Sequence, residues 1–251
     1  MTPAWTTQSL SIRGLNKLRC QDATWAGIVG PYAVLVVADG VGGYVWSDLA
    51  AQAAVIIAQA VAAEASIHSP DRPSFADKIA HGVRLNWNEW HLAQIESDGI
   101  KKTDCTIAIA VVDTEGVSVR SVGDCVVILG SQGMEPCAVI TPSRDEFGNV
   151  ETLTHYCKGA ANLEALEVDD PELSEVLIST DGIERVLHHG TVHKNGKAFT
   201  VTDLLDPYVR ELLDHIRVTH DVGFLARELA AGLIHAQGSK GDDIGVAVAI
   251  R

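Results

Sequence analysis

The sequence predicts an α+β fold built on packed antiparallel sheets. Three observations carry that reading: strand-like runs come in consecutive groups, helical stretches come in pairs, and the two do not alternate strictly as a doubly wound parallel sheet requires. The 251 residues read as one domain over 1–251, with no repeat, linker or low-complexity tract.

Each element has its own signal. Residues 5–13 alternate weakly and lead into a turn at Gly14-Leu15-Asn16-Lys17. Tyr32–Ala38 is a continuous apolar run rich in β-branched residues and ended by Asp-Gly, which marks a buried strand. Gly40–Gly43 follows as loop, and Ser47 caps a helix from about Asp48 to Ser66 with Asp48 suitably in its first turn. Pro70 and Pro73 break the chain. Ser74 caps a second helix to about Ser97, with Ile79, Val83, Trp87 and Trp90 near helical spacing. Thr106–Asp113 and Val117–Val122 read as a hairpin, and Val126–Gly130 begins another strand. Residues 131–172 give no clear pattern. Val176–Ser179 is a short strand, two helices are expected at about Val201–Arg217 and Asp221–Ala236, and Ile244–Ile250 is the last strand after a turn over Gly238–Asp243.

Composition excludes several classes. With 47% hydrophobic and 21% charged residues, disorder is ruled out. The formal charge is 19 − 33 = −14, which argues against nucleic-acid or anionic-membrane partners, since both need a basic face. Five cysteines without a CxxC pair read as reduced thiols, so no disulfide framework or zinc ribbon is expected. With no signal peptide and no membrane-spanning run in the sequence, a cytoplasmic protein is the expectation.

One chemical pattern recurs. Val37-Ala38-Asp39-Gly40, Ser179-Thr180-Asp181-Gly182 and Val122-Gly123-Asp124 each close an apolar strand with an aspartate, Asp242-Asp243 precedes the last strand, and Asp22 precedes Ala23-Thr24-Trp25. A single Asp-Gly after a strand is most simply a turn. Carboxylates gathered at one set of strand ends repel unless cations neutralise them, and hard ions such as Mg²⁺ or Mn²⁺ prefer such all-oxygen ligands.

Taken in order, Gly14…Gln21-Asp22, Val37–Gly43, Val122-Gly123-Asp124, Ser179–Gly182 and Gly241-Asp242-Asp243-Ile244 resemble the metal-dependent Ser/Thr protein phosphatases of type 2C. Cys20–Ala23 and Glu146–Thr152 look closest to a compact bacterial branch. The resemblance implies a four-layer α-β-β-α sandwich of two mainly antiparallel sheets flanked by helix pairs. It also implies two Mn²⁺ or Mg²⁺ ions in a cleft at one edge of the sheets. Asp39 would bridge the ions, the Gly40 carbonyl would bind the second, and Asp181 and Asp242 would complete the first. Asp22 would orient the attacking water, and Asp124 would help hold a weaker third ion. The implied activity is hydrolysis of phosphoserine and phosphothreonine on proteins, opposing a Ser/Thr kinase, by a hydroxide bridging two metals. The alternative is an inactive pseudophosphatase that binds a phosphoprotein or another partner.

The chain departs from the family pattern in places. Lys17 stands where the family usually has a phosphate-binding Arg, so it is the candidate phosphate ligand, with Arg13 and Arg19 nearby as substitutes; an ordinary solvated loop cation is the alternative. Val41 replaces the His proposed as general acid in eukaryotic members, a proton source that valine lacks. Cys125-Val126 replaces Ser-Arg after Asp124, and 143–172 is shorter than the usual flap. His188, His189 and His193 read as surface loop, the five tryptophans as core or helix packing, and the cysteines as small buried hydrophobes with Cys20 nearest the site.

Overall fold

A computed structural model of the protein describes residues 5–14, 17–65, 71–98, 103–131, 136–140, 150–194, 197–205, 207–219, 221, 223 and 242–251. In chain order its elements are β1 (Thr6–Ile12), β2 (Asp22–Val29), β3 (Tyr32–Asp39), α1 (Ser47–Ala65), α2 (Arg72–Asp98), β4 (Ile107–Val112), β5 (Gly116–Val122) and β6 (Val126–Ser131). They continue with β7 (Cys137–Ile140), α3 (Leu153–Cys157), β8 (Glu164–Asp169), β9 (Leu173–Ser179), β10 (Leu187–Lys194), β11 (Lys197–Leu205), α4 (Pro207–Thr219) and β12 (Ile244–Ile250).

Two five-stranded sheets result, ordered β1-β12-β9-β6-β7 and β2-β3-β4-β5-β8, with β10-β11 as a separate ribbon. Every pairing is antiparallel. The period-2 alternation of the strands divides their residues between the layers. On β3 and β4, Val34, Val36, Ile107 and Ile109 pack with Phe75, Ile79, Val83 and Trp87 of α2 and the alanine face of α1. On β12, Ile244, Val246, Val248 and Ile250 pack with Leu213 and Ile216 of α4. The opposite faces meet each other: Ala33, Leu35, Ala108 and Ala110 against Val127, Ile178, Ala247 and Ala249. On β12 the large side chains face α4 and the alanines face the seam between the sheets, which is otherwise filled by Leu, Ile and Val with the alanines of β3 and β4. This is the expected α-β-β-α sandwich.

Strand β3, the hairpin β4–β5 and β12 lie within a residue of the expected positions. The helix expected over Val201–Arg217 divides: β11 runs to Leu205, and α4 starts at Pro207. Proline suits the first turn of a helix but not its interior, so it sets the boundary. His188, His189 and His193 belong to β10, not to a loop. The helix expected over Asp221–Ala236 and the turn over Gly238–Gly241 lie outside the described residues, apart from Asp221 and Gly223. α1 is long and apolar enough to cross a membrane; its Ala50, Ala54, Ala58 and Ala62 are fully buried, while Ile56 on the same helix is exposed.

Candidate active site

The expected acidic residues converge because antiparallel strands bring N-terminal and C-terminal ends to the same edge. β3 ends at Asp39, and β2 begins at Asp22 directly opposite it in register. Gly40 continues by bridging to Cys105, while the Asp39 carbonyl accepts the Thr106 amide at 2.8 Å. Gly123, at φ +107°, turns the chain out of β5 to present Asp124. Asp181 begins a 3-10 turn immediately after β9, and Asp242-Asp243 lead into β12.

Glycine follows Asp39 and Asp181 for a reason of space. A Cβ on Gly40 would lie 2.4 Å from the Ser47 carbonyl oxygen and 2.9 Å from that of Gln21; one on Gly182 would lie 2.0 Å from the Asp243 oxygen. Neither glycine is among those with positive φ, so close backbone approach, not left-handed geometry, requires them.

Lys17, Asp39, Gly40, Asp124, Asp181 and Asp242 line one cleft of about 270 Å³, together with Val41, Gly42, Thr106 and Val150. Asp22 sits behind Asp39, 6% exposed, its Oδ2 accepting the Thr180 hydroxyl at 2.6 Å. Burial pushes the Asp22 carboxyl up to about 7, and the Asp243 and Asp181 charges act in the same direction. Burial likewise lifts Asp39 well above the ordinary carboxylate range, reinforced by Asp22, Asp181 and Asp124. For Lys17, burial opposes the charge, but the hydrogen bond and charge of Asp242, with Asp243 and Asp39, outweigh it and raise the ammonium pKa. Its Nζ lies 2.7 Å from Asp242 Oδ1, 3.6 Å from Asp243 Oδ2 and 3.0 Å from Gln21 Oε1. Lys17 is thus bound into the acidic cluster, not a solvated loop cation.

Among the described residues, no group of three or more His, Cys, Asp or Glu side chains is placed to hold a metal ion by itself. The donor set nonetheless fits a hydrated hard cation. It is all oxygen, its charges repel when ionised, and its open cleft leaves room for water, as Mg²⁺ held by one or two carboxylates requires. Cys20, Cys105 and Cys125, the thiols nearest the cleft among the described residues, fit no nucleophilic role: burial raises Cys20 to about 12 and Cys105 and Cys125 well above the ordinary range.

Three further residues support the site. Asp243, 2% exposed, accepts the Gly14 amide at 2.7 Å and the Gln21 amide at 2.8 Å, closing the loop that carries Lys17. Its place in the Asp-Asp pair was visible, but not its partners over 200 residues away. Thr180 joins Asp22 to β12 by accepting the Gly245 amide at 2.8 Å. Asp104 accepts the Thr152 hydroxyl and the Thr154 amide, and its carbonyl accepts the Val41 amide at 3.0 Å. No sequence pattern marks it.

Beside the cleft the chain takes an uncommon turn. Trp46 has φ +71° and is 41% exposed, unlike Trp87, which is fully buried as expected. A non-glycine residue in this region costs roughly 1–2 kcal/mol. Three hydrogen bonds to the Trp46 carbonyl hold it there: the Leu49 and Ala50 amides of α1 and the Thr103 hydroxyl.

Solved structures share this fold. A Caenorhabditis elegans (C. elegans) sex-determining protein superposes with TM-score 0.70 at 16% identity, over 99% of this chain and 65% of its own length. Serine/threonine phosphatase Stp1 from Staphylococcus aureus gives 0.64 at 14% identity, over 98% and 94%. The Mycobacterium tuberculosis serine/threonine phosphatase PstP/Ppp gives 0.60 at 18%, over 98% of each chain. At these identities the likeness establishes the fold alone, and no curated protein matches the sequence. A family description of the protein phosphatase 2C type does match, over residues 14–233, and the chain, with its aspartates gathered at one sheet edge, belongs to the protein phosphatase 2C family.

Proposed function

We propose that the chain hydrolyses phosphoserine and phosphothreonine esters on proteins, with water as nucleophile and two Mn²⁺ or Mg²⁺ ions as cofactors. The observation that carries this reading is the convergence of Asp39, Asp124, Asp181 and Asp242 with Lys17 on one cleft. Family membership supports a phosphatase, and the family generally uses Mn²⁺ or Mg²⁺. Bound there, such ions make water acidic and neutralise charge on phosphoryl oxygens.

The chain's own groups have definable tasks. Asp39, the Gly40 carbonyl, Asp181 and Asp242 would hold the ion pair, and Asp124 a weaker third ion. Asp22, backed by Thr180, orients the attacking water through Asp39. Lys17 meets the phosphate as a point charge, without the bidentate fork an arginine offers. Val41 moves no proton, so the leaving hydroxyl takes its proton from water in the cleft. The substrate is a phosphoprotein, a Ser/Thr kinase stands opposite, and four free cysteines among the described residues agree with a reducing cytoplasm.

The experiment is hydrolysis of para-nitrophenyl phosphate and of phosphothreonine peptides across Mn²⁺ and Mg²⁺ concentrations, with and without chelator. Metal-dependent turnover is expected. Binding of the phosphopeptide without turnover at any metal concentration would replace the enzyme with a pseudophosphatase.

A further inference from the structure

We propose that the exposed shelf formed by Leu18, Val45 and Trp46 seats an apolar side chain of the substrate polypeptide beside its phosphorylated residue. The inference rests on the phosphatase reading and adds to it a substrate preference. A groove of about 520 Å³ runs along Lys17, Leu18, Arg19, Tyr44, Val45 and Trp46, and it shares Lys17 with the acidic cleft. A polypeptide whose phosphate lies against Lys17 therefore has its flanking residues at the mouth of this groove.

Leu18, Val45 and Trp46 form an exposed apolar stretch of a groove whose remaining lining is polar, Gln21, Ser47 and Asp48 included. Leu18 is 95%, Val45 66% and Trp46 41% exposed, a clustering that scattered surface hydrophobes do not show. The Trp46 backbone is fixed at φ +71° by the three hydrogen bonds to its carbonyl. Its indole is covered on one face by the Arg19 guanidinium, 5.6 Å from the ring centroid. A bulky ring at a position that favours glycine does nothing for the turn itself, so what it contributes is the surface it presents. Arg19 is paired with Asp48 at 3.3 Å, which leaves the shelf close to neutral beside a strongly acidic cleft. That balance suits an aliphatic or aromatic side chain and gives no purchase to an acidic one. A rigid aromatic platform is also the kind of surface that gains contact area at small entropic cost.

The test compares para-nitrophenyl phosphate with two phosphothreonine peptides, one flanked by Leu and one by Ser, on the full chain and on Trp46→Ala and Leu18→Ser. Leu18 is so exposed that its variant leaves folding intact. The wild type is expected to prefer the Leu peptide by about tenfold in kcat/KM, the usual worth of a filled apolar pocket. Both variants should hydrolyse para-nitrophenyl phosphate as the wild type does and lose the peptide preference through KM. Equal rates on the two peptides, or a parallel loss on the small ester, overturns the proposal while the phosphatase reading stands. Anisotropy of the labelled peptides separates the other case: Leu-dependent binding that Trp46→Ala removes, without turnover, supports the shelf and overturns the phosphatase reading. A dimer in sedimentation equilibrium that Trp46→Ala dissolves, with no peptide preference, assigns the shelf to a second copy of the chain and also overturns the proposal.

Discussion

Asp22 and Asp39 face each other directly across β2 and β3, and burial pushes both carboxyls above the ordinary range, Asp39 further by the charge of Asp22. Buried carboxylates this close repel each other when both are charged, so without a cation the pair resists full ionisation. Replacing one member removes that conflict and also removes a ligand. Asp39→Asn should therefore abolish turnover, by several orders of magnitude if the hydroxide-forming ion is lost, while the chelator-treated protein melts no lower than wild type. Metal-dependent activity and calorimetric melting of the same preparation check both halves; a folded Asp39→Asn with wild-type turnover sinks the assignment.

Asp243 sustains the site from behind. Asp243→Ala leaves the buried Gly14 amide and the half-buried Gln21 amide without their acceptor, at a cost of roughly 1–3 kcal/mol. Because these bonds close the loop carrying Lys17, KM for phosphopeptides should rise with the loss of stability. Urea unfolding and steady-state kinetics measure the two effects. A variant as stable as wild type shows that water replaces the carboxylate.

The residues that sequence could read are those whose neighbours in the chain explain them. Tyr32–Ala38 alternates into two buried faces, and Asp39, Asp124 and Asp181 each close a buried strand, so their meeting at one edge follows from antiparallel pairing. β8 shows the opposite case. Glu164–Asp169 is mostly exposed and acidic, and it is held as an edge strand by β5 and by Glu167, which bonds Ser118 and lies 2.6 Å from Arg120. Its apolar alternation is only two residues deep, Leu166 and Val168, and is too short to announce the strand among three acidic residues. Asp104 escaped because its partners Thr152 and Thr154 lie 48 and 50 residues away, and the Trp46 turn because the Thr103 hydroxyl that helps to hold it is 57 residues away.

The seam between the sheets predicts an asymmetry along β12. Ala247 is fully buried between the sheets, so Ala247→Leu should destabilise by about 1–3 kcal/mol through overpacking. Ile244 faces the α4 layer, where Ile244→Val should cost about 0.5–1.5 kcal/mol. Denaturant midpoints at equal m-value decide it. A Leu accepted at 247 without loss means that the seam holds spare volume.

Lys17 stands in two relations at once, and its removal should separate them. Its ammonium lies 2.7 Å from Asp242 and lines the cleft where phosphate would bind. Lys17→Ala should raise KM for a phosphopeptide by roughly tenfold, the worth of one charge-assisted hydrogen bond. It should also lower the Mn²⁺ concentration giving half-maximal rate, because Asp242 loses the cation that competes for its oxygens. Lys17→Arg should restore KM. Unchanged KM and unchanged metal saturation would move phosphate binding to Arg13 or Arg19.

Asp124 distinguishes a tight ion pair from a looser third ion. It is 3% exposed, reaches the cleft from β5, and adds its charge to the field on Asp39. If Asp39, Asp181 and Asp242 hold the tight pair, Asp124→Ala should keep the metal-induced rise in melting temperature, about 2.7 kcal/mol of stabilisation at a hundredfold excess over Kd. Its activity should fall mainly at low Mn²⁺ and recover as the metal is raised. Asp181→Asn should instead lose both the thermal shift and the activity at every concentration. Zn²⁺ should replace Mn²⁺ poorly in both proteins, since the lining offers oxygen and neither sulfur nor imidazole. Melting curves and rates taken across one metal titration read these outcomes together. An Asp124→Ala protein that loses the thermal shift as completely as Asp181→Asn places Asp124 with the tight pair and removes the weaker third ion.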